Sequence, residues 1–122
     1  MALILVVEDD PVTAVCTLRC LARMGHQTIG PVASAWEAIH QAEVSRPDLV
    51  VMDIELDGET DGITAAREIF VRFGIASIYL TSQNDEVTRA RAYATAPLGY
   101  LLKPASASLL QATLDSALQQ SA

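Results

Sequence analysis

No stretch of the sequence approaches the ~20 consecutive apolar residues that a membrane span needs, so no membrane anchor is expected. Basic side chains are scarce. Eight Lys and Arg stand against fifteen Asp and Glu, for a formal charge of −7. Such a chain lacks the basic face that displaces counterions from a phosphate backbone, which argues against direct nucleic-acid binding. It permits a cation site. Charged residues are 19% of the chain and apolar residues 51%, so the composition is that of a globular domain and not of a disordered one. Repeats, linkers and low-complexity segments are missing. So are G-x-x-x-x-G-K-[ST] and G-x-G-x-x-G, which leaves nucleotide binding without its usual cradle. There are only two cysteines, Cys16 and Cys20. Four apart on a helix, they are expected in or near the core, and no further ligands lie near them to build a metal site.

The 122 residues suit one domain spanning 1–122 and leave no room for a second catalytic or DNA-binding domain. The opening Met-Ala-Leu-Ile-Leu-Val-Val-Glu-Asp-Asp has no basic n-region and meets acids at once. It reads as a strand and not as a signal peptide, so a cytoplasmic location is expected.

Strand and helix signals alternate. Leu3 to Val7 is a continuous apolar run, as in a strand buried on both faces. Asp10-Pro11 supplies a cap and a first-turn proline for a helix to about Met24, stopped by Gly25. Gln27 to Val32 is a weaker strand broken by Gly30-Pro31, which places it at a sheet edge. Ser34-Ala-Trp-Glu37 is a capping box for a helix with Ala35, Ala38, Ile39 and Ala42 inward. Leu49 to Met52 is a buried strand ending at Asp53. A polar loop, Glu55 to Asp61, leads to a helix from about Gly62 to Phe73. Ser77 to Thr81 is the fourth strand, and Asn84 or Asp85 caps the helix after it. Gly99 to Leu102 is the fifth strand. Ser106 caps a last helix with Leu110, Leu114, Ala117 and Leu118 inward. This is strand-helix five times, predicting an α/β doubly wound parallel sheet with helices on both faces.

In such sheets ligands sit beyond the carboxyl ends of the strands. The first strand ends in Glu8-Asp9-Asp10, the third in Asp53, the fourth in Thr81-Ser82 and the fifth in Lys103-Pro104. Singly, Asp10 is a helix cap, Thr81 a turn residue and Lys103 a solvated cation. Together on one edge they are a site. Carboxylates brought together repel unless a cation lies between them, and Mg²⁺ suits few carboxylates and several waters. Acids, cation, Lys and hydroxyl can receive a phosphoryl group, with one carboxylate as nucleophile. His26 and His40 are not beside the acids and read as surface or edge residues. Ser82 has no His partner for a triad. Trp36 is expected to pack and not to serve as a ligand platform.

These residues resemble the receiver domain of two-component response regulators, over essentially the whole chain. The matching pieces are Leu-Val-Val-Glu8-Asp9-Asp10-Pro11, Asp48-Leu-Val-Val-Met-Asp53, Asp61-Gly62, Leu-Thr81-Ser82 and Gly99-Tyr100-Leu-Leu-Lys103-Pro104. The resemblance implies the flavodoxin-like strand order 2-1-3-4-5. It implies Asp53 as phosphoacceptor, with Mg²⁺ or Mn²⁺ held by Glu8, Asp9, Asp53 and the backbone carbonyl of Glu55. Thr81 resembles the switch hydroxyl, Lys103 the phosphate-binding lysine and Tyr100 the aromatic that changes rotamer. Lys103-Pro104 resembles the family's cis peptide. The implied donor is a sensor histidine kinase or a histidine phosphotransfer protein. The implied output is a downstream protein or a homodimer through the face of the fourth helix, fifth strand and fifth helix. No external metabolite would be turned over. The loop after Asp53 lacks the frequent Met-Pro, and Glu55 and Gln83 occupy positions that tune phosphoryl lifetime in the family. Two other readings stand beside this one: a degenerate receiver serving only as an interaction module, and a small Mg²⁺-dependent phosphatase, to whose D-x-D motif Asp53-x-Glu55 has a loose likeness.

Overall fold

The computed structural model describes residues 1–121. The strands are β1 (Leu3–Val7), β2 (Gln27–Val32), β3 (Leu49–Met52), β4 (Ser77–Thr81) and β5 (Gly99–Leu102). The helices are α1 (Pro11–Arg23), α2 (Ala35–Ser45), α3 (Gly62–Phe73), α4 (Glu86–Tyr93) and α5 (Ala107–Ser121). The strands form one parallel sheet in the order β2-β1-β3-β4-β5. This is the predicted architecture.

Period-two alternation splits the strand side chains between two cores. Leu5, Val7, Val50, Met52 and Tyr79 face Ala35, Ala38 and Ala42 of α2 and Ile63, Ala66 and Ile69 of α3. Ile4, Val6, Val51, Ile78 and Leu80 face Leu21 of α1 and Leu110 and Leu114 of α5. Each fully buried Leu or Ile contributes about 1.5–3 kcal/mol relative to exposure. Because both faces of β1 and β3 are covered, those strands read as unbroken apolar runs.

Asp10 and Ser34 cap as expected, Asp85 and not Asn84 caps α4, and Asp61 at the end of the polar loop caps α3; each accepts the N–H three residues on. Ser106 accepts from Leu109 N at 3.1 Å. β2 lies at the edge, and its register against β1 shifts where Gly30-Pro31 interrupts the ladder.

Two expectations fail. Cys16 is exposed, although Cys20 is half-buried against the core as expected. Trp36 does not pack; it is 77% exposed. Both failures follow from helix phase. With Ala14, Leu18 and Leu21 inward, Cys16 points outward, and with Ala35, Ala38 and Ala42 inward, so does Trp36.

Candidate functional site

Parallel register carries the key side chains to one edge. Val7 pairs with Met52, so Glu8 and Asp53 emerge side by side. Asp53 N donates to Val7 O at 3.0 Å and Glu8 N to Val32 O at 2.9 Å. Thr81 pairs with Leu102, and Lys103 N donates to Thr81 O at 2.9 Å, so Lys103 emerges beside Thr81. The Lys103-Pro104 peptide is cis. The cleft this creates is lined by Glu8, Asp9, Asp53, Glu55, Thr81 and Lys103.

Charge organises the cleft. Lys103 Nζ lies 2.5 Å from Glu8 Oε1 and 3.2 Å from Asp53 Oδ2, with both carboxylates almost wholly buried. Oxygens of Glu8, Asp9 and Asp53 lie within 4.8 Å of one another. Burial raises the Glu8 carboxyl above its ordinary value; Lys103 opposes this and Asp53 reinforces it. Burial raises Asp9 as well, with Glu8 and Asp57 adding like charge. Burial works against the Lys103 ammonium, but Glu8 and Asp53 outweigh it and hold the lysine above its ordinary value. An all-oxygen donor set carrying three acids matches a hard divalent cation.

Asp53 is held on both oxygens, since Oδ1 accepts from Ile54 N at 2.8 Å while Oδ2 faces Lys103. The loop after it is seated by Gly62, whose N–H donates to Ile54 O at 2.8 Å. A Cβ at position 62 would stand 1.8 Å from Asp53 O, so only glycine lets α3 start there.

Gln83 links the cleft to α4 and β5. Its N–H donates to Thr81 Oγ1 at 3.2 Å, and its carbonyl accepts from the Tyr100 hydroxyl at 2.8 Å. Its side-chain amide donates to Glu55 Oε1 at 2.7 Å and accepts from Thr88 Oγ1 at 3.2 Å. Tyr100 is half-buried, stacked on Tyr93 with centroids 5.7 Å apart, and Arg89 lies over its ring at 4.5 Å. Arg91 pairs with Asp61 at 3.0 Å.

Glu8, Asp9, Asp53, Thr81 and Lys103, all singled out from the sequence, therefore meet in one cleft. The Glu55 carboxylate turns to Gln83. Asp10 is occupied as the α1 cap, accepting from Thr13 N at 3.1 Å. Tyr100 stands one residue further out, joined to Thr81 through the two polar groups of the Gln83 backbone. Sequence reading missed the proximity of Asp57 to Asp9 and the Asp61–Arg91 pair, because neither follows from local periodicity.

The family model described as the response regulator receiver domain matches residues 4–115. The chain belongs to that family. A receiver is a signalling module of two-component systems, and no helix among the described residues is long and apolar enough to cross a membrane. The chain is 34% identical over 119 residues to the transcriptional regulatory protein PdtaR of Mycobacterium tuberculosis, covering 96% of this chain and 57% of that protein. It is 30% identical to the solved signal receiver domain of a modulated diguanylate cyclase from Desulfovibrio desulfuricans, with a TM-score of 0.93 and coverage of 99% and 96%. It is also 30% identical to the receiver domain of the sensor histidine kinase PA1611 of Pseudomonas aeruginosa, with a TM-score of 0.86 and coverage of 97% and 98%. In that structure a magnesium ion is coordinated in the active site cleft. The receiver spans about half the length of the first curated relatives it matches.

Proposed function

We propose that residues 1–122 form one receiver unit that takes a phosphoryl group onto Asp53 from the phosphohistidine of a sensor kinase or histidine phosphotransfer protein in the cytoplasm. The observation that carries this reading is the Lys103 ammonium lodged between the buried Glu8 and Asp53 carboxylates. A carboxylate oxygen of Asp53 bonds to phosphorus as the bond from phosphorus to the donor imidazole breaks, and the electron pair returns to the ring. Glu8, Asp9, Asp53 and the Glu55 carbonyl would hold Mg²⁺ or Mn²⁺. When bound, that ion supplies positive charge against the phosphoryl oxygens. Lys103 keeps Glu8 as a partner and gains a phosphoryl oxygen.

Thr81 carries the change outward. Its hydroxyl accepts from Gln83 N–H and still has a proton to donate to phosphate. Movement of Thr81 toward Asp53 pulls on the residue whose carbonyl holds Tyr100, which biases the α4-β5-α5 face toward a second copy or a downstream protein. A phosphatase of the D-x-D type needs its second acid aimed at the reacting centre, whereas the Glu55 carboxylate is bonded to Gln83.

Acetyl phosphate with Mg²⁺ should label one carboxylate, giving an acid-stable, alkali-labile product. Asp53→Asn should abolish labelling, and Asp9→Ala should remove the stabilisation that Mg²⁺ confers on the parent. Undiminished labelling of Asp53→Asn would overturn the assignment. Thr81→Ala should still accept phosphate but show no phosphate-induced amide shifts around Tyr100.

A further inference from the structure

The function just proposed makes no use of the outer face of α2. Trp36 is the chain's only tryptophan and is 77% exposed, and Val44 on the same helix is 66% exposed. Glu37, His40 and Glu43 lie among them on the side opposite Ala35, Ala38 and Ala42. Scattered exposed apolar residues need no explanation, but a side chain as large as tryptophan left this exposed at the start of a helix is an apolar anchor, with Val44 about two turns further along the same face.

The first turn of this helix is stitched to the loop after Asp53. Asp57 N donates to Ala33 O at 3.0 Å, and Ser34 and Asp57 form a parallel bridge. That loop brings the exposed Asp57 beside the first turn of α2, with the exposed Glu59 two residues further on. Charge on the other end of α2 is already engaged. Glu43 pairs with Arg72 at 3.9 Å, and Arg46 and Arg72 both lie over Phe73. Among the described residues no ion pair involves Glu37, Asp57 or Glu59. The Trp36 end is thus an apolar anchor beside uncompensated negative charge.

We propose that this face docks a cationic, partly apolar polypeptide segment of a partner protein. Its charge repels the alternatives. Nucleic acid and anionic lipid would meet like charge, and so would the same acidic face of a second copy. An Arg or Lys beside an apolar side chain meets both features at once, since its cation can lie over the indole and pair with the neighbouring acids. The surface does not depend on phosphorylation of Asp53.

The test uses the whole chain and two synthetic helical peptides, one with Arg and Leu on one face, the other with Glu replacing each Arg. The Arg peptide should shift Trp36 emission to the blue, with amide shifts concentrated in residues 33–45 and 55–60, and binding should weaken as salt rises. Trp36→Ala should weaken it about tenfold, as loss of a central aromatic anchor does, without changing the melting temperature or Asp53 labelling. Glu37→Lys should weaken it as well. Equal affinity of the parent and Trp36→Ala would overturn the proposal, as would amide shifts centred on Glu8, Asp9 and Asp53. A blue shift produced by raising protein concentration alone would show that the face is covered by a second copy. Tighter binding of single-stranded DNA or anionic vesicles than of the Arg peptide would overturn it too.

Discussion

Helices α3 and α4 flank the same cleft, yet different forces attach them to the sheet. α3 buries Ile63, Ala65, Ala66 and Ile69, and its first residue is wedged against the Asp53 carbonyl. α4 buries only Thr88 and Ala92, while Val87 is 72% exposed. Its attachments are polar or aromatic: Thr88 to Gln83, Arg91 to Asp61, the Tyr79 hydroxyl to Thr95 at its C-terminal end, and Arg89 over Tyr100. Apolar burial adds up over area and has no preferred direction, so α3 is fixed as a unit. A net hydrogen bond or exposed ion pair is worth roughly 1 kcal/mol or less, so α4 can exchange partners at small cost. One wall of the cleft is rigid and the other is adjustable, which is what a local change at Asp53 needs if it is to be felt elsewhere.

The largest expected contrast is in stability. Ile69→Ala removes a fully buried side chain from the α3 core and should cost about 2–5 kcal/mol in urea unfolding. Val87→Ala on α4 should stay within about 0.5 kcal/mol. Equal losses in the two variants would erase the distinction between the walls.

The sequence shows the rigid wall better than the adjustable one, for a physical reason. Periodicity reports burial of apolar side chains, and α3 is built on that. The helix bounds Gly62 and Phe73 and the short buried strand before Asp53 were legible from it. The converging cleft was legible because a parallel sheet brings strand ends to one edge. Gln83 was visible only as a position beside Thr81; its bonds to Glu55, Thr88 and Tyr100 need the tertiary structure. The pairing of Arg91 with Asp61 needs it too. Trp36 and Cys16 were misjudged by residue type although the phase of their own helices already turned them outward.

A medium effect is expected at the far end of α4. Tyr79 is fully buried, and its hydroxyl bonds to Thr95 Oγ1 at 2.7 Å. Burial pushes the phenol up to about 12, so it stays protonated at neutral pH. Thr95 Oγ1 donates to Ala92 O at 2.6 Å, so the tyrosine is the donor to Thr95. Tyr79→Phe keeps the ring in the core and deletes one donor, at about 0.5–1.5 kcal/mol. Amide exchange at Ala94 to Ala96 should quicken while α3 amides keep their protection. Faster exchange in α3 as well would mean that the two helices open together.

The smallest effect isolates the single ion pair between the walls. Burial works to raise the Asp61 carboxyl, but the Thr64 N–H and Arg91 outweigh it and hold the group below its ordinary 3.8. Asp85, the α4 cap, is lowered by Thr88. A carboxylate held below its ordinary value stabilises the fold at any pH above the free side chain's, and that stabilisation is lost as pH falls through the depressed value. Acid should therefore release α4 at both places where it is tethered through a carboxylate. Amide exchange, corrected for its intrinsic pH dependence, should lose protection in α4 below about pH 4 before it does so around Ile69. Asp61→Asn retains an acceptor for Thr64 N but loses the charge that faces Arg91. At neutral pH it should cost about 0.2–1 kcal/mol, because Arg91 is half-exposed, and it should loosen α4 as acid does. The residual acid response of this variant then belongs to the Asp85 cap. If Asp61→Asn left α4 protection unchanged at both pH values, the link between the walls would lie in the Gln83 bonds alone.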